Sequence, residues 1–401
     1  MTRDPLRRVA GLPLLARNVL TAAEAGAAAV TIVAPGPAAE LAPALARIRR
    51  SRPDLSLHVA GDTGGLAPGA AGWWLHTDGV FTAGHLRALA AAGPGRWRPA
   101  AGDRPLAWLE AGQWRAVAAA PDPWRALAQG LADLGAAAPG YHRLDAAADR
   151  RPAEAMLFAA LGKASDGLVS RLLNRPLSTR VSRWLSRYEI SPGQLTALTG
   201  ACGLAMFAAF LAGGPYAVLA GCLLFQLASV VDGLDGEIAR VKFLTSPAGA
   251  AWDTAVDMAT NLLFLAGLMT ALYASEGELY LYLGSYLVGV AAAAMALMTV
   301  LLRLGPGGGS FDVLGRALRL RFAGRPRLQQ LIGRLETCFK RDCYAFLAAV
   351  LALAGQAAAL PWLLAAGVTL WLLTIVTHAP YLVTAPAAAL RPEHLRRPGR
   401  P

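Results

Sequence analysis

Four aspartates, Asp232, Asp235, Asp253 and Asp257, stand close together in an otherwise apolar part of the chain. Asp232 and Asp235 are three residues apart, and Asp253 and Asp257 are four apart. On helices, each spacing places its pair on one face about one turn apart. Between the pairs, Ser246-Pro247 supplies a capping serine and a proline suited to the first helical position. The expected local structure is two antiparallel helices joined by a short basic loop, with two acids from each directed at a common space. Such a cluster is self-repelling unless cations neutralise it. Carboxylate oxygens suit hard ions such as Mg²⁺ or Mn²⁺, and the stretch from Val231 to Asp257 contains no His or Cys. Charged side chains within membrane helices are costly, so they face cavities and mark function. The plainer alternative, acids solvated at helix ends, accommodates Asp232 or Asp235 alone but not Asp253 and Asp257.

The elements that must hold these acids are apolar. Of 401 residues, 55% are hydrophobic and only 16% charged. Six apolar segments suit a hydrocarbon core about 30 Å thick. They run from Leu195 to Leu211, Tyr216 to Val231, Ala250 to Leu272, Leu279 to Leu302, Tyr344 to Ala359 and Trp362 to Val383. Three connections, Leu211 to Ala217, Tyr273 to Leu279 and Gln356 to Trp362, lack Lys and Arg. The loop at Arg240 to Lys242, the stretch from Arg303 to Arg341 and the tail from Arg391 to Arg400 are basic. By the positive-inside rule both termini and the four acids face the cytoplasm. The net charge of +12 comes without any zinc-finger, basic-zipper or RNA-binding pattern, so no nucleic-acid partner is expected. The four cysteines, Cys202, Cys222, Cys338 and Cys343, have no disulfide or metal-ligand spacing and are expected to be reduced.

Ahead of the spans, residues 174–188 read NRPLSTRVSRWLSRY, a basic amphipathic helix with Leu177, Val181, Trp184, Leu185 and Tyr188 on its apolar side. Such a helix lies along a lipid surface. The N-terminal part alternates helix and strand signals: a helix from about Pro13 to Ala25, strands near Val30 to Ala34, Leu55 to Ala60 and Gly72 to Leu75, and a helix from Pro123 to Leu134. No export segment is expected at Met1 to Arg8. The expected domains are 1–148, a soluble α/β unit; 149–192, linker and interfacial helix; 193–390, six membrane helices; and 391–401, a basic tail.

Asp232, Asp235, Gly236, Ala239, Arg240, Gly249, Asp253 and Asp257 occupy eight fixed positions within 26 residues. This pattern resembles the signature of the CDP-alcohol phosphotransferase family, membrane enzymes that make phospholipid head groups and related phosphodiesters. The resemblance implies a six-helix membrane fold, a homodimer in a bacterial- or archaeal-type cytoplasmic membrane, two Mg²⁺ or Mn²⁺ ions, a CDP-alcohol donor and an alcohol acceptor. It implies that Asp232, Asp235, Asp253 and Asp257 ligate metal and that Asp257 is also the general base. Asp232, Gly236, Ala239, Arg240 and Gly249 would receive the CDP group.

Residues 160–187 and the following ISPGQLT resemble the segment before the first span in family members fused to cytidylyltransferase domains. Some of those members join CDP-inositol to inositol phosphate. On that likeness Arg175 and Arg180 are candidates for an acceptor phosphate, and Arg341 at the mouth of the fifth span is a third. GLPLLARNVLTAAEAGA and HTDGVF, with Asp78, resemble a sugar- or inositol-phosphate cytidylyltransferase. The glycine-rich phosphate loop expected before Arg7 is absent and Leu12 replaces a lysine, so this domain is expected to be non-catalytic. Two other function classes use intramembrane acids or a membrane domain: a cation transporter, and an inert anchor for the N-terminal domain. The first would need the inverted repeats and broken helices that this chain lacks, and the second leaves the intact motif unexplained.

Overall fold

The computed structural model describes residues 5–304, apart from 35, 64–70, 78, 99–105, 137–139, 145, 163–165 and 215, and then 318, 324–325, 327 and 340–384. Asp78, most of the basic stretch 303–341 and the tail lie outside the described residues. The chain forms two compact units. One comprises Met1–Lys163 with Thr179–Pro192 and Leu234–Ser246; the other comprises Ala164–Ser178, Gly193–Gly233 and Pro247–Pro401.

The first unit opens with a hairpin, β1 (Arg8–Val9) against β2 (Leu12–Pro13). Its turn residues Ala10 and Gly11 have φ of 46° and 82°, the double left-handed geometry favoured by two-residue hairpins. Gly11 is doubly required, because an added Cβ would lie 2.1 Å from the Ser186 carbonyl oxygen. Helix α1 (Leu14–Ala25) packs Leu15, Ala16, Val19 and Leu20 against Ile32 of β3 (Ala29–Val33) and against Leu45 and Ile48 of α2 (Ala42–Ser51). Strand β3 pairs in parallel with β4 (Ser56–Ala60) through α2, a βαβ unit close to the expected one.

A second, four-stranded sheet has the order β5 (Gly72–Trp74), β8 (Leu106–Leu109), β7 (Gly95–Arg98), β9 (Asp133–Ala136). The expected helix from Pro123 to Leu134 stops early. Helix α5 (Pro123–Gly130) ends at a glycine, Leu131 turns extended, and the chain enters β9. Strand β6 (Gly79–Phe81) pairs with β10 (Tyr141–Arg143), while α3 (Ala83–Ala91), α4 (Ala111–Ala118) and α6 (Arg150–Ala159) complete the unit. Tryptophans make packing contacts here, with the Trp73 and Trp108 ring centroids 4.8 Å apart and those of Trp74 and Trp114 5.2 Å apart.

A π turn, Ser170–Asn174, leads into α7 (Arg175–Leu185), the expected amphipathic helix. Leu177, Val181, Trp184 and Tyr188 are exposed, whereas Ser178, Ser182 and Ser186 are buried. The small polar stripe therefore faces protein and leaves the apolar stripe outward, the arrangement a helix lying in a lipid interface needs.

Five helices of the described residues are long and apolar enough to cross a membrane. They include α8 (Pro192–Leu211), α9 (Ala217–Val241), α10 (Pro247–Glu276) and α11 (Leu279–Leu304, with its apolar stretch ending at Leu301). The fifth is α13 (Leu360–Thr384), preceded by a 3₁₀ turn at Ala357–Ala359. The remaining expected span corresponds to α12 (Arg341–Leu353), which has only 13 residues and ends in an αL glycine at Gly355. At 1.5 Å per residue it is about 20 Å long, shorter than a full hydrocarbon core.

Small residues bring the helices of the second unit close together. An added Cβ at Gly203 of α8 would lie 3.0 Å from the Thr260 hydroxyl of α10, and one at Gly267 would lie 2.6 Å from the Phe210 ring. The core between them collects Met206, Phe210, Phe225, Phe264, Leu268 and Leu287. The rings of Phe225 and Phe264 stack 3.9 Å apart, which sets α9 against α10 two turns away from the acids.

Candidate active site

Helix α9 carries Asp232, and α10 carries Asp253 and Asp257 one turn apart. One carboxylate oxygen from each of the three lies within 4.8 Å of the others, and all three side chains are half-buried. At such separations three negative charges repel strongly in a partly desolvated site, so the group requires positive charge. Three hard oxygen donors with no sulfur or imidazole among them fit a divalent cation of the Mg²⁺ class.

One counter-charge belongs to the chain itself. Arg341, the first residue of α12, donates from Nη1 to Oδ1 of Asp257, and the same nitrogen lies 3.4 Å from Oδ1 of Asp232. Its guanidinium carbon sits 5.7 Å from the centroid of the Phe225 ring, a cation–π placement on the ring already stacked on Phe264. Two neighbours fix the helix that presents this arginine. Asp342 accepts from the backbone N–H of Ser170, and a Cβ at Gly167 would collide with the Asp342 carboxylate at 2.3 Å. Tyr344, one turn on, donates to Oδ1 of Asn261 at 2.9 Å, and Asn261 lies one turn beyond Asp257 on α10.

A second polar layer ties the π turn to α9. Asn174, buried, donates to the Ser229 hydroxyl at 3.1 Å and accepts from Nε2 of Gln226 at 2.9 Å. Arg175 holds Asp166 through two parallel bonds of 3.1 and 3.0 Å, the fork geometry of a strong ion pair. Gly233, next to Asp232, admits Ser178, whose hydroxyl would lie 3.2 Å from an added Cβ. Single π turns inserted next to α-helix often accompany functional sites, and this one directs Asn174 and Arg175 into these contacts.

The predicted residues divide into groups. Asp232, Asp253, Asp257 and Arg341 come together. Asp235, one turn further along α9, is buried, accepts from its neighbour's N–H at Gly236, and is not one of the three clustered carboxylates. Gly236 is overlain by its i+4 neighbour, since an added Cβ would stand 3.0 Å from Nη1 of Arg240. Ala239 is half-buried and Gly249 exposed in the first turn of α10. Arg180 is exposed, whereas the Arg175 fork is engaged by Asp166. The sequence reading missed Phe225, Asn174, Gln226 and Asp342. Gln226 carried a signal, being a lone amide in the apolar run before Asp232. Asp342 carried none, because its partners are 172 residues away.

Residues 189–380 match the family model described as CDP-alcohol phosphatidyltransferase. Among curated proteins the chain is 39% identical over 113 residues to a "Bifunctional IPC transferase and DIPP synthase" of Aquifex aeolicus, covering 28% of this chain and 25% of that protein. It is 38% identical over 128 residues to the protein of the same description from Thermococcus kodakarensis, covering 32% and 28%. With the counterpart from Archaeoglobus fulgidus the identity is 38% over 117 residues, covering 29% and 23%. The chain thus spans about a quarter of the length of the curated relatives it matches. The matched region contains the acid-bearing helices, four of the five apolar helices with most of the fifth, and Arg341, so it is the C-terminal part of this chain that is similar to the CDP-alcohol phosphatidyltransferase family.

Proposed function

We propose that the chain transfers a substituted phosphate from a CDP-alcohol to the hydroxyl of a polar acceptor and releases CMP, with an inositol phosphate as the favoured acceptor. The observation that carries this reading is the convergence of Asp232, Asp253 and Asp257 within 4.8 Å in an apolar helical setting. The descriptions of the relatives and the likeness of residues 160–187 to inositol-phosphate-using members support the acceptor. The donor is CDP-diacylglycerol or a soluble CDP-polyol.

In this reading Asp232, Asp235, Asp253 and Asp257 would hold two Mg²⁺ or Mn²⁺ ions, whose charge would offset that of the pyrophosphate and lower the pKa of a nearby hydroxyl. Asp257 takes the proton of the acceptor hydroxyl. The acceptor oxygen then bonds to the β-phosphorus as the bond to CMP breaks, and the protein contributes mainly positioning. Gly236, Ala239 and Gly249 leave room for the cytidine, and Arg240 holds the pyrophosphate. Arg341, beside the acids, and Arg180 face the acceptor phosphate; Arg175 would have to release Asp166 to join them.

The proposal extends to topology. Helix α12 serves as a sixth membrane helix beside the five long ones, both termini and the acids lie on the cytoplasmic side, and the enzyme works as a homodimer. The N-terminal unit is non-catalytic. Purified protein incubated with Mg²⁺ or Mn²⁺, CDP-diacylglycerol or CDP-inositol, and a panel of inositol phosphate, glycerol phosphate and serine should release CMP only with a competent pair. No metal-dependent CMP release from any pair rejects the reading.

A further inference from the structure

Arg341 stands where a bound cation would also act. Its Nη1 touches Asp257 and lies 3.4 Å from Asp232, two of the three acids whose oxygens converge. A cation held by those oxygens at the distances usual for Mg²⁺ would place a double positive charge within a few ångströms of the guanidinium. Like charges so close in a half-buried site are strongly disfavoured. Both cannot hold the same carboxylates at full strength.

The tether of Arg341 is one-sided. Nη1 carries both acid contacts, while Nε and Nη2 are buried with no hydrogen-bond partner among the described residues. The helix behind it is fixed independently, through Asp342 to the Ser170 N–H and through Tyr344 to Asn261. The long side chain can therefore leave the acids without disturbing the start of α12.

We propose that Arg341 is the exchangeable counter-ion of the aspartate cluster: its guanidinium neutralises Asp232 and Asp257 when no divalent cation is bound and is displaced from them when one enters. The displaced guanidinium then has its whole donor fork free for an anion, so cation and anion binding are coupled through one side chain, reciprocally. The inference rests on the reading that the cluster holds a divalent cation, and it adds that the wild-type affinity for that cation is held down by a competing arginine.

Equilibrium Mn²⁺ binding to the full chain in detergent micelles, read from the electron paramagnetic resonance signal of free Mn²⁺, tests it without any turnover. Arg341→Gln should bind Mn²⁺ roughly tenfold more tightly than wild type, since a nearby positive charge is removed. Arg341→Lys, which keeps the charge but not the reach of the fork, should fall between the two and carries the comparison if the glutamine variant does not elute as a folded species. Affinities equal within about twofold, or weaker binding in the variants, make Arg341 a fixed strut and overturn the exchange while leaving the cation site standing. Wild-type and variant proteins that all take up no Mn²⁺ overturn the cation reading of the cluster itself, and the exchange with it.

Discussion

The guanidinium of Arg17 lies 5.9 Å from the centroid of the Phe243 ring, so helix α1 is packed on the second residue beyond α9. Arg17 is buried, donating to the carbonyl oxygens of Val9 at 3.0 Å and Ala10 at 3.1 Å. Burial pushes it down to about 10, opposed by the attraction of Glu154. Glu154, fully buried, accepts from the Ala10 N–H and from Arg150. Lys242 donates to the Tyr188 carbonyl, and Arg47 donates to the Lys242 carbonyl at 3.0 Å. The hairpin, α1, α6 and residues 242–243 thus share one polar and aromatic cluster.

Arg17→Met should destabilise the protein by about 3 kcal/mol, because it leaves the Val9 and Ala10 carbonyls and the Glu154 charge less compensated. Phe243→Ala should cost about 1–2 kcal/mol through lost packing on the Leu12–Ile48 core. Thermal unfolding in detergent reads both. A melting temperature unchanged in Arg17→Met would show that the buried arginine contributes nothing to cohesion of this unit.

Asp257→Asn should lower turnover by about 10²-fold or more, the scale of a lost general base. Donor affinity should stay within about tenfold of wild type, since the change acts mainly on the chemical step. Single-turnover CMP release and equilibrium binding of the CDP donor separate the two effects, and wild-type turnover would remove Asp257 from the base role.

Asp232→Asn and Asp253→Asn should instead shift the Mn²⁺ titration to higher concentration. Each removes a charged oxygen from the three-acid cluster. Titration curves superimposable on wild type would exclude both as ligands.

Gly167→Ala should impair the site from a distance. Its Cβ would meet the Asp342 carboxylate at 2.3 Å and push it off the Ser170 N–H, loosening the anchor of the α12 start that presents Arg341. A drop in kcat of about tenfold with an unchanged melting temperature is the expected signature of a misplaced positioning element. Asn174→Ala should act on stability instead, by about 1–2 kcal/mol, because Gln226 loses its partner and Ser229 an incoming bond within an apolar setting.

Trp184 of α7 and Tyr188 in the turn that follows it, both exposed, should contact lipid. In liposomes containing lipids brominated near the head-group end of the acyl chain, Trp184→Phe should remove a measurable part of the quenched tryptophan fluorescence. Identical quenching in the two proteins would place α7 away from the bilayer surface.

Local spacing determined much of this protein. The three- and four-residue intervals of the aspartates, the Ser246-Pro247 start signal and the runs of apolar residues fixed α9, α10 and the helical membrane character, because helix periodicity and hydrocarbon thickness act on neighbours in the chain. Helix α1 and strands β3 and β4 were legible for the same reason, α2 between the strands was not, and Gly130 ended a helix that composition alone would have prolonged. Which acids converge was not a local matter. Asp232, Asp253 and Asp257 are brought together by the packing of α9 on α10, in which Phe225 stacks on Phe264, whereas Asp235 is on α9 but not among those three. Arg341 reaches Asp257 across 84 residues, and Asp342 reaches Ser170 across 172. Contacts of that separation depend on how whole helices pack, a property that neither spacing nor composition encodes and that only the tertiary structure decides.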